Sequence, residues 1–254
     1  MLCLSATGFS NSRGDVEIRY VGLPDGAAGL MARFVLKEKP ALHAMHAVRF
    51  EPYALHDCCA SPAQYAMGSG RLDIAVMCVD AARVLVAKDQ RYEIAGPVIQ
   101  NSDVFVTRRE DISHDPTIAV SQQRDFQRQM VTRRYGERSR PVSMLHSAVP
   151  FAYARGVVQG AVVDISKAFD LEGVLTSGTG HGDDVVTHVM VIKKSLKNTE
   201  TFRKFMELYN EAVRETDSPE SLLHLLRTCE SMDYTMREVE IWRKLEVRFM
   251  QPLS

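Results

Sequence analysis

With 254 residues, the chain is long enough to form one large domain or two smaller lobes. Its apolar fraction of 45% and charged fraction of 25% are typical of a globular protein that buries a core. The formal net charge of −1 provides no general attraction for nucleic acids or anionic membranes. No apolar run approaches the ~20 residues that a transmembrane helix needs. We therefore expect no nucleic-acid partner and no transmembrane segment.

The first half of the chain alternates between the hydrophobic patterns of strands and helices. Strands are expected at residues 15–21, 47–50, 72–77, 92–99 and 103–107, and helices at residues 27–38, 62–67 and 80–88. This order is typical of a doubly wound α/β sheet, in which helices cover both faces of mostly parallel strands. The charged and turn-rich residues 108–116 then indicate a crossover into a second lobe.

The second half repeats the alternation and ends in a helical tail. The glycine-rich stretch Thr176–Asp184 lacks the Lys-Ser/Thr ending of a phosphate-binding P-loop and precedes a strand, so we interpret it as a mobile return loop. Strands are expected at residues 117–120, 142–145, 161–163 and 185–192, and helices at 121–135, from 147, and at 166–169, 198–216, 218–229 and 234–250.

One sequence pattern occurs twice, at an offset of 86 residues (Gly70 to Gly156). The first copy is Gly70–Val76 and the second is Gly156–Val163. Each copy follows a short helical run and continues into an apolar strand that ends at polar residues. Two copies of such a unit predict two similar α/β lobes, and ligands usually bind in the cleft between lobes.

Several stretches together resemble a known family. The pattern G-x-[LV]-D-A-A-V fits Gly70–Val76 and, more loosely, Gly156–Val162, where Gln159-Gly160 departs from Asp-Ala. Gly96–Val106 and Lys194–Val213 match two further stretches of the same layout. On these motifs the chain resembles the periplasmic substrate-binding proteins of ABC transporters with the type II fold. Within them it is most similar to the nitrate/sulfonate/taurine, NMT1/THI5-like branch.

The resemblance implies a two-lobed fold: two doubly wound α/β lobes with a hinge of two crossing strands. In this chain, lobe 1 would comprise residues 1–106 and 187–254, and lobe 2 residues 107–186. It further implies a binding protein, not an enzyme, that needs no cofactor and closes around a small organic ligand. Hinge motion is expected near Thr107 and Val186, and an ABC permease is the candidate partner.

The location of the protein depends on its first residues. Met1–Ser12 lacks the positive start and the full apolar core of a signal peptide. We expect an extracytoplasmic protein, periplasmic or lipid-anchored, if a signal segment is missing from this sequence, and a cytoplasmic protein otherwise.

Two alternatives remain open at this stage. The first is an enzyme on the same fold, either a thiamine-precursor synthase or a menaquinone-route enzyme. The synthases carry a cysteine-rich motif and a lysine that holds pyridoxal phosphate, whereas this chain shows only His56–Ala60 and Lys167 near a strand end. The second alternative is a cytosolic sensor that reports ligand occupancy to a partner.

Candidate ligand-binding residues follow from the position of strand ends. In open α/β sheets, ligands bind beyond the carboxyl ends of the strands, close to helix N-termini. This rule selects Leu23, Pro24, Asp25, Cys59, Ser61, Cys78, Asp80, Ser121, Gln122, His146, Ser147, Asp164 and Ser166.

These candidates point to two ligand chemistries. Backbone N–H groups at the helix starts of Ser61, Ser121 and Ser147 would bind an anionic head group. Asp80 and Asp164 occupy nearly equivalent places in the two copies, and if they faced each other they would favour an amine. No catalytic set and no metal site is expected.

Overall fold

The computed structural model of the protein describes residues 17–39, 48–55, 61–110, 112, 115–179, 184–230 and 232–252. The described helices, in chain order, are α1 (Ala27–Glu38), α2 (Ser61–Gly68), α3 (Val79–Lys88), α4 (Asp125–Tyr135), α5 (Ala148–Ala154), α6 (Ile165–Ala168), α7 (Glu200–Glu215), α8 (Pro219–Cys229) and α9 (Met236–Lys244). The described strands are β1 (Glu17–Pro24), β2 (Val48–Leu55), β3 (Ile74–Cys78), β4 (Tyr92–Gln100), β5 (Asp103–Thr107), β6 (Thr117–Ser121), β7 (Arg140–Met144), β8 (Gly160–Asp164), β9 (Val174–Ser177), β10 (Val186–Lys193) and β11 (Arg248–Phe249).

These strands form two sheets, which confirms the predicted mixed α/β class. The first sheet has the order β11-β4-β10-β3-β1-β2, and the second has the order β7-β6-β8-β5-β9. Parallel pairs join β1 to β2 and β3 in the first sheet, and β6 to β7 and β8 in the second. In each sheet one strand inserts antiparallel next to this parallel group: β10 beside β3, and β5 beside β8.

The sequence repeat is a structural repeat. β3 and β8 are equivalent buried strands of five residues at the same offset of 86 positions. Gly70 and Gly156 both adopt positive φ, 77° and 72°. The N–H of Gly70 donates to the carbonyl of Met67 at 2.8 Å, and that of Gly156 donates to the carbonyl of Tyr153 at 2.9 Å. Each glycine therefore ends a short helix in the left-handed conformation that a side chain would disfavour.

The same offset corrects one sequence interpretation. Cys78 ends β3 and Asp164 ends β8, so these two residues are the equivalent pair. Asp80 lies in the first turn of α3 and corresponds to Ser166. Asp80 and Asp164 are thus not counterparts. Asp164 is the last residue of its strand, whereas Asp80 is the second residue of the helix that follows the equivalent strand.

The chain passes between the sheets at two adjacent points. Asn101 and Ser102 connect β4 to β5, and Val185 precedes β10 on the return. The N–H of Asn101 donates to the Val185 carbonyl at 2.8 Å, and the Val185 N–H donates to Asn101 Oδ1 at 2.9 Å. The hydroxyls of Ser102 and Thr187 share a 2.7 Å hydrogen bond. The two crossings are therefore one hydrogen-bonded unit.

Of the two predicted hinge positions, Val186 lies at an observed crossing between the sheets and Thr107 does not, and the hinge motion itself stays a prediction. Thr107 ends β5 and pairs with Gly160 inside the second sheet. Because β5 bonds to β8 and β9, the change of sheet occurs at Asn101-Ser102, a few residues before the predicted lobe limit. The lobe limits themselves stay a prediction.

Several element bounds differ from the predicted ones for local reasons. Ser121 is the last residue of β6 and does not cap a helix, because Gln123 takes a positive φ of 60° and α4 begins only at Asp125. Strand β9 is not among the expected strands, and its last two residues, Thr176 and Ser177, lie in the stretch expected to be a loop. The helix predicted at residues 234–250 ends at Lys244, and after Glu246 adopts a φ of 55° the chain forms β11.

The helical tail packs on the first sheet and joins one large core. The side chains of Thr199 and Ser218 accept backbone hydrogen bonds at the starts of α7 and α8. The apolar face of α7 is buried, and the largest apolar cluster includes side chains from both sheets and the tail. Among the described helices, none combines the length and apolarity that crossing a bilayer requires.

The repeat predicts a specific cost for side chains at the two glycines. We expect Gly70→Ala and Gly156→Ala each to lower the free energy of unfolding by about 1 kcal/mol, because alanine disfavours positive φ. A Cβ at either site has no atom closer than 3.7 Å, so the effect reports backbone conformation and not a clash. Urea unfolding measures it.

Gly68→Ala is the matched control. Gly68 ends α2, and a Cβ there meets nothing within 4 Å. This variant should match or slightly exceed the wild-type stability, because alanine is the better helix former. Equal losses at Gly68 and Gly70 would contradict the structural reading of the repeat.

Candidate functional site

A small cavity lies between the two sheets, next to the crossing strands. Its volume is about 10 Å³, which is roughly the space of one water molecule. Polar and charged side chains from both sheets surround it, so the described structure is a closed arrangement. The lining residues of this central cavity are Pro24, Asp25, Asp103, Arg124, His146, Asp164 and His188.

Asp164 bridges the two sheets at this cavity. Its Oδ1 atom accepts a hydrogen bond of 2.9 Å from the N–H of Ala27, the first residue of α1. The same oxygen accepts bonds from the N–H and the hydroxyl of Ser166, at 3.0 and 2.9 Å. Asp164 therefore caps α6 in its own sheet and the N-terminus of α1 in the other.

Gly26 makes this approach sterically allowed. It precedes α1 with a φ of 94°, and a Cβ placed on it would lie 2.7 Å from Asp164 Oδ1. A side chain would thus meet both a conformational penalty and a direct clash. The bend at Asp25-Gly26 therefore leaves the space in which the Asp164 carboxylate contacts the start of α1.

Burial raises the pKa of the Asp164 carboxyl above its usual range. Hydrogen bonds from Ala27 and Ser166 oppose this shift, as does the nearby imidazole of His146. Burial prevails because the side chain is almost fully removed from water. The buried carboxylate would gain from additional positive charge.

Asp103 and Arg124 form a buried ion pair on the other side of the cavity. Their side chains are 2% and 3% exposed. Gln127 donates from Nε2 to Asp103 Oδ1 at 3.0 Å, and its Oε1 accepts the Ser121 N–H at 2.8 Å. This network fixes the start of β5 against the end of β6 and the first turn of α4.

Two histidines complete the lining. His146 follows β7 and is half-buried, and its Nδ1 shares a 3.0 Å hydrogen bond with Ser121 Oγ. His188 lies on β10 and is buried. Both are titratable groups that can donate or accept hydrogen bonds at a ligand.

The structure brings together six of the residues selected from the sequence. Pro24, Asp25, His146 and Asp164 line the cavity, and Ser121 and Ser166 bond to two of them. Whether these residues bind a ligand stays a prediction.

The remaining selected residues that the structure describes do not line the cavity. Leu23 is a core residue, and Cys78 and Asp80 do not line the cavity. The N–H of Gln122 donates to the Met144 carbonyl, and Ser147 is exposed. The helix α2 begins at Ser61, whose side chain lies outside the described part of the chain, as does Cys59.

Sequence reasoning missed Asp103, Arg124 and His188. The rule used there selects the carboxyl ends of parallel strands, but β5 and β10 run antiparallel to their neighbours. Asp103, at the start of β5, pairs in register with Asp164, and His188 pairs with Cys78. An isolated charge at the start of a buried strand was the available signal for Asp103.

In the part of the chain that the structure describes, no group of three or more His, Cys, Asp or Glu side chains is placed to hold a metal ion.

Comparison with solved structures identifies the fold. The ligand-binding component of an ABC-type import system from Staphylococcus aureus, solved with zinc bound, aligns over 93% of this chain and 86% of its own, with a TM-score of 0.69 at 11% identity. The chain has the fold of ABC-type solute-binding proteins.

Sulfonate-binding proteins share this solute-binding-protein fold. The alkanesulfonate-binding protein SsuA from Xanthomonas axonopodis pv. citri, bound to MOPS, aligns over 93% of this chain and 87% of its own, with a TM-score of 0.66 at 14% identity. The periplasmic aliphatic sulphonate-binding protein SsuA from Escherichia coli aligns over 90% and 83%, with a TM-score of 0.65 at 14% identity. No protein-family model and no curated protein matches the sequence.

The buried ion pair predicts a large stability effect. We expect Arg124→Met to lower the free energy of unfolding by about 3–5 kcal/mol, because it leaves the Asp103 carboxylate buried without the guanidinium. Replacing both partners, as in Arg124→Met with Asp103→Leu, should recover part of this loss. Urea unfolding of the single and double variants measures both effects.

Arg138→Met is the control for the loss of an arginine. Arg138 lies 3.4 Å from Asp115, and the two side chains are 79% and 51% exposed. Removing this exposed pair should leave the stability nearly unchanged. A similar loss at Arg124 and Arg138 would show that the Asp103–Arg124 pair has no special energetic role.

The raised pKa of Asp164 predicts a pH dependence. The folded protein holds this proton to a higher pH than the unfolded chain, so the stabilisation is full below the unfolded pKa and is lost as the pH rises through the folded pKa. Asp164→Asn has no such proton. Its stability relative to wild type should therefore increase as the pH rises above about 4, the usual pKa of a carboxyl group.

Unfolding in urea across this pH range tests the sign, with Asp170→Asn as the control. Asp170 is exposed and does not line the cavity, so its variant should follow the wild-type curve. Glu230, whose pKa burial also raises, and His146 are present in all three proteins. A difference between Asp164→Asn and wild type that shrinks with pH would contradict the assignment.

Proposed function

We propose that this protein is the solute-binding component of an ABC-type import system and holds a small organic ligand in the central cavity. The observation that carries this proposal is the convergence of polar groups from both sheets on one cavity beside the crossing strands, in a chain with the solute-binding-protein fold. Clefts between lobes are the usual ligand sites of such folds.

Ligand entry requires the sheets to separate. Ligand pockets usually enclose roughly 300–1,000 Å³, whereas the closed cavity holds about 10 Å³. The two crossings are short and bonded to each other, which suits a hinge that rotates one sheet against the other. Opening would break the Ala27–Asp164 hydrogen bond and expose the lining residues of both sheets.

The partner, the location and the lobe division of the protein belong to the same proposal. We infer that an ABC permease receives the closed, loaded form, and that the protein works outside the cytoplasm when a signal segment precedes this sequence. The two lobes would divide close to the predicted limits, and the NMT1/THI5-like branch is the proposed relationship within the fold. The protein would act without catalysis.

No feature of the cavity favours the enzymatic alternative. A pyridoxal-phosphate enzyme needs a lysine that reaches the cofactor. Among the described residues the cavity lining includes no lysine, and Lys167 lies on α6 outside it.

A thermal-shift screen tests the proposed function. Sulfonates, pyrimidines, amines and oxyanions should include at least one ligand that raises Tm saturably, because a ligand that binds only the folded state stabilises it by mass action. The absence of a saturable shift across the whole panel would contradict the proposal.

Two histidine variants test where the ligand binds. We expect His146→Ala to lower the affinity for the ligand found in the screen about tenfold, because a hydrogen-bonding side chain of the cavity is lost. His224→Ala should bind as wild type does, since His224 packs its ring against Phe34, 5.7 Å between centroids, and does not line the cavity. Equal affinities of all three proteins, measured by titration calorimetry, would place the ligand elsewhere.

A further inference from the structure

Two features of the central cavity would ordinarily bind an anion. The first is the N-terminus of α1, where free N–H groups and the helix dipole favour negative charge. The second is the guanidinium of Arg124, whose planar donors match carboxylates and sulfonates. In this protein each feature already has a carboxylate of the chain itself as its partner.

At the helix, Asp164 takes the position of an anionic ligand group. Its Oδ1 accepts the Ala27 N–H at 2.9 Å, and the glycine before α1 leaves no side chain between them. All three hydrogen bonds to Asp164 reach Oδ1, and Oδ2 accepts none from the described residues. The second oxygen is therefore the acceptor available for a ligand.

At the arginine, Asp103 takes the equivalent position. The pair is buried, and Gln127 supplies a further hydrogen bond to Asp103. An entering anion would have to displace Asp103 or bury a second negative charge beside it. Both alternatives are costly, because a buried carboxylate without compensation loses its hydration.

The charge of the lining points the same way. Burial raises the pKa of the Asp164 carboxyl, which means that the ionised form of this cavity-lining group is short of compensating positive charge. The Oε1 atom of Glu230 is buried without a hydrogen-bond partner among the described residues, and this carboxyl interacts electrostatically with Asp164. Arg33 and Lys167 lie near Glu230 but do not line the cavity. A positively charged ligand would stabilise the ionised forms of the Asp164 and Glu230 carboxyls.

We propose that Asp164 determines the ligand class: it blocks the α1 N-terminus against anions and selects a small cation, a primary amine or a guanidinium, through its free Oδ2. This inference rests on the proposed function and narrows it to one class of ligand. It separates this protein from the neighbours of the same fold that are named as sulfonate-binding proteins.

Two variants separate blocking from attraction. Asp164→Ala removes both the block and the charge. Asp164→Asn keeps an oxygen that can accept the Ala27 N–H but removes the charge, and it also guards against a general loss of folding in the alanine variant. Asp170→Ala is the matched control, because Asp170 is an exposed aspartate in the turn after α6.

The probes are ethylamine and guanidinium as cations, and ethanesulfonate and sulfate as anions, titrated by thermal shift and calorimetry at constant ionic strength. Wild type and Asp170→Ala should bind at least one cation and neither anion. Asp164→Asn should lose about tenfold in cation affinity and gain no anion, because a charge-assisted bond becomes a neutral one. Asp164→Ala should lose the cation and bind ethanesulfonate or sulfate at least about tenfold more tightly than wild type.

The outcomes distinguish this inference from the proposed function. Wild-type binding of ethanesulfonate with an affinity that Asp164→Ala leaves unchanged would overturn the assignment of ligand class while supporting a solute-binding protein. Saturable shifts only with uncharged compounds of the broader screen would do the same. If no compound of the screen raised Tm saturably, the proposed function itself would be contradicted.

Discussion

The hydrogen bond from the Ala27 N–H to Asp164 directly connects the two sheets of this molecule. It joins the first helix of one sheet to the last strand residue of a buried strand in the other. It forms only because Gly26, the start of α1 and the end of β8 lie next to one another. The bond holds the two sheets together beside the central cavity, whose volume is about 10 Å³.

The two copies of the repeat share their backbone conformation and differ in the residues at their strand ends. Glycine conformations, turn hydrogen bonds and strand lengths coincide at the constant offset. At the strand ends, however, one copy has the buried thiol Cys78 and the other has the carboxylate Asp164. The scaffold is thus approximately symmetric while its chemistry is not, which is how folds with many different ligands are built.

The local parts of the fold were predictable because they depend on neighbouring residues. The helix Ala27–Glu38 and the buried strands of the repeat are indicated by hydrophobic periodicity and by turn residues within a few positions. The membership of β5 in the second sheet and the pairing of Asp103 with Asp164 arise from contacts far apart in sequence. Arg124 was missed for the same reason, because its buried ion pair joins it to Asp103, 21 positions earlier in the chain.

The tail beyond α9 has a mechanical consequence for the hinge. Asn101 Nδ2 donates to the carbonyl of Glu246 at 3.1 Å, and β11 pairs with the end of β4. The last residues of the first sheet are therefore braced from outside, and in the proposed opening the rotation would fall on the backbone between Asn101 and the start of β5. Because the tail contacts this segment, we expect substitutions in the tail to change the balance between open and closed forms, and with it the affinity for a ligand, without any contact with that ligand.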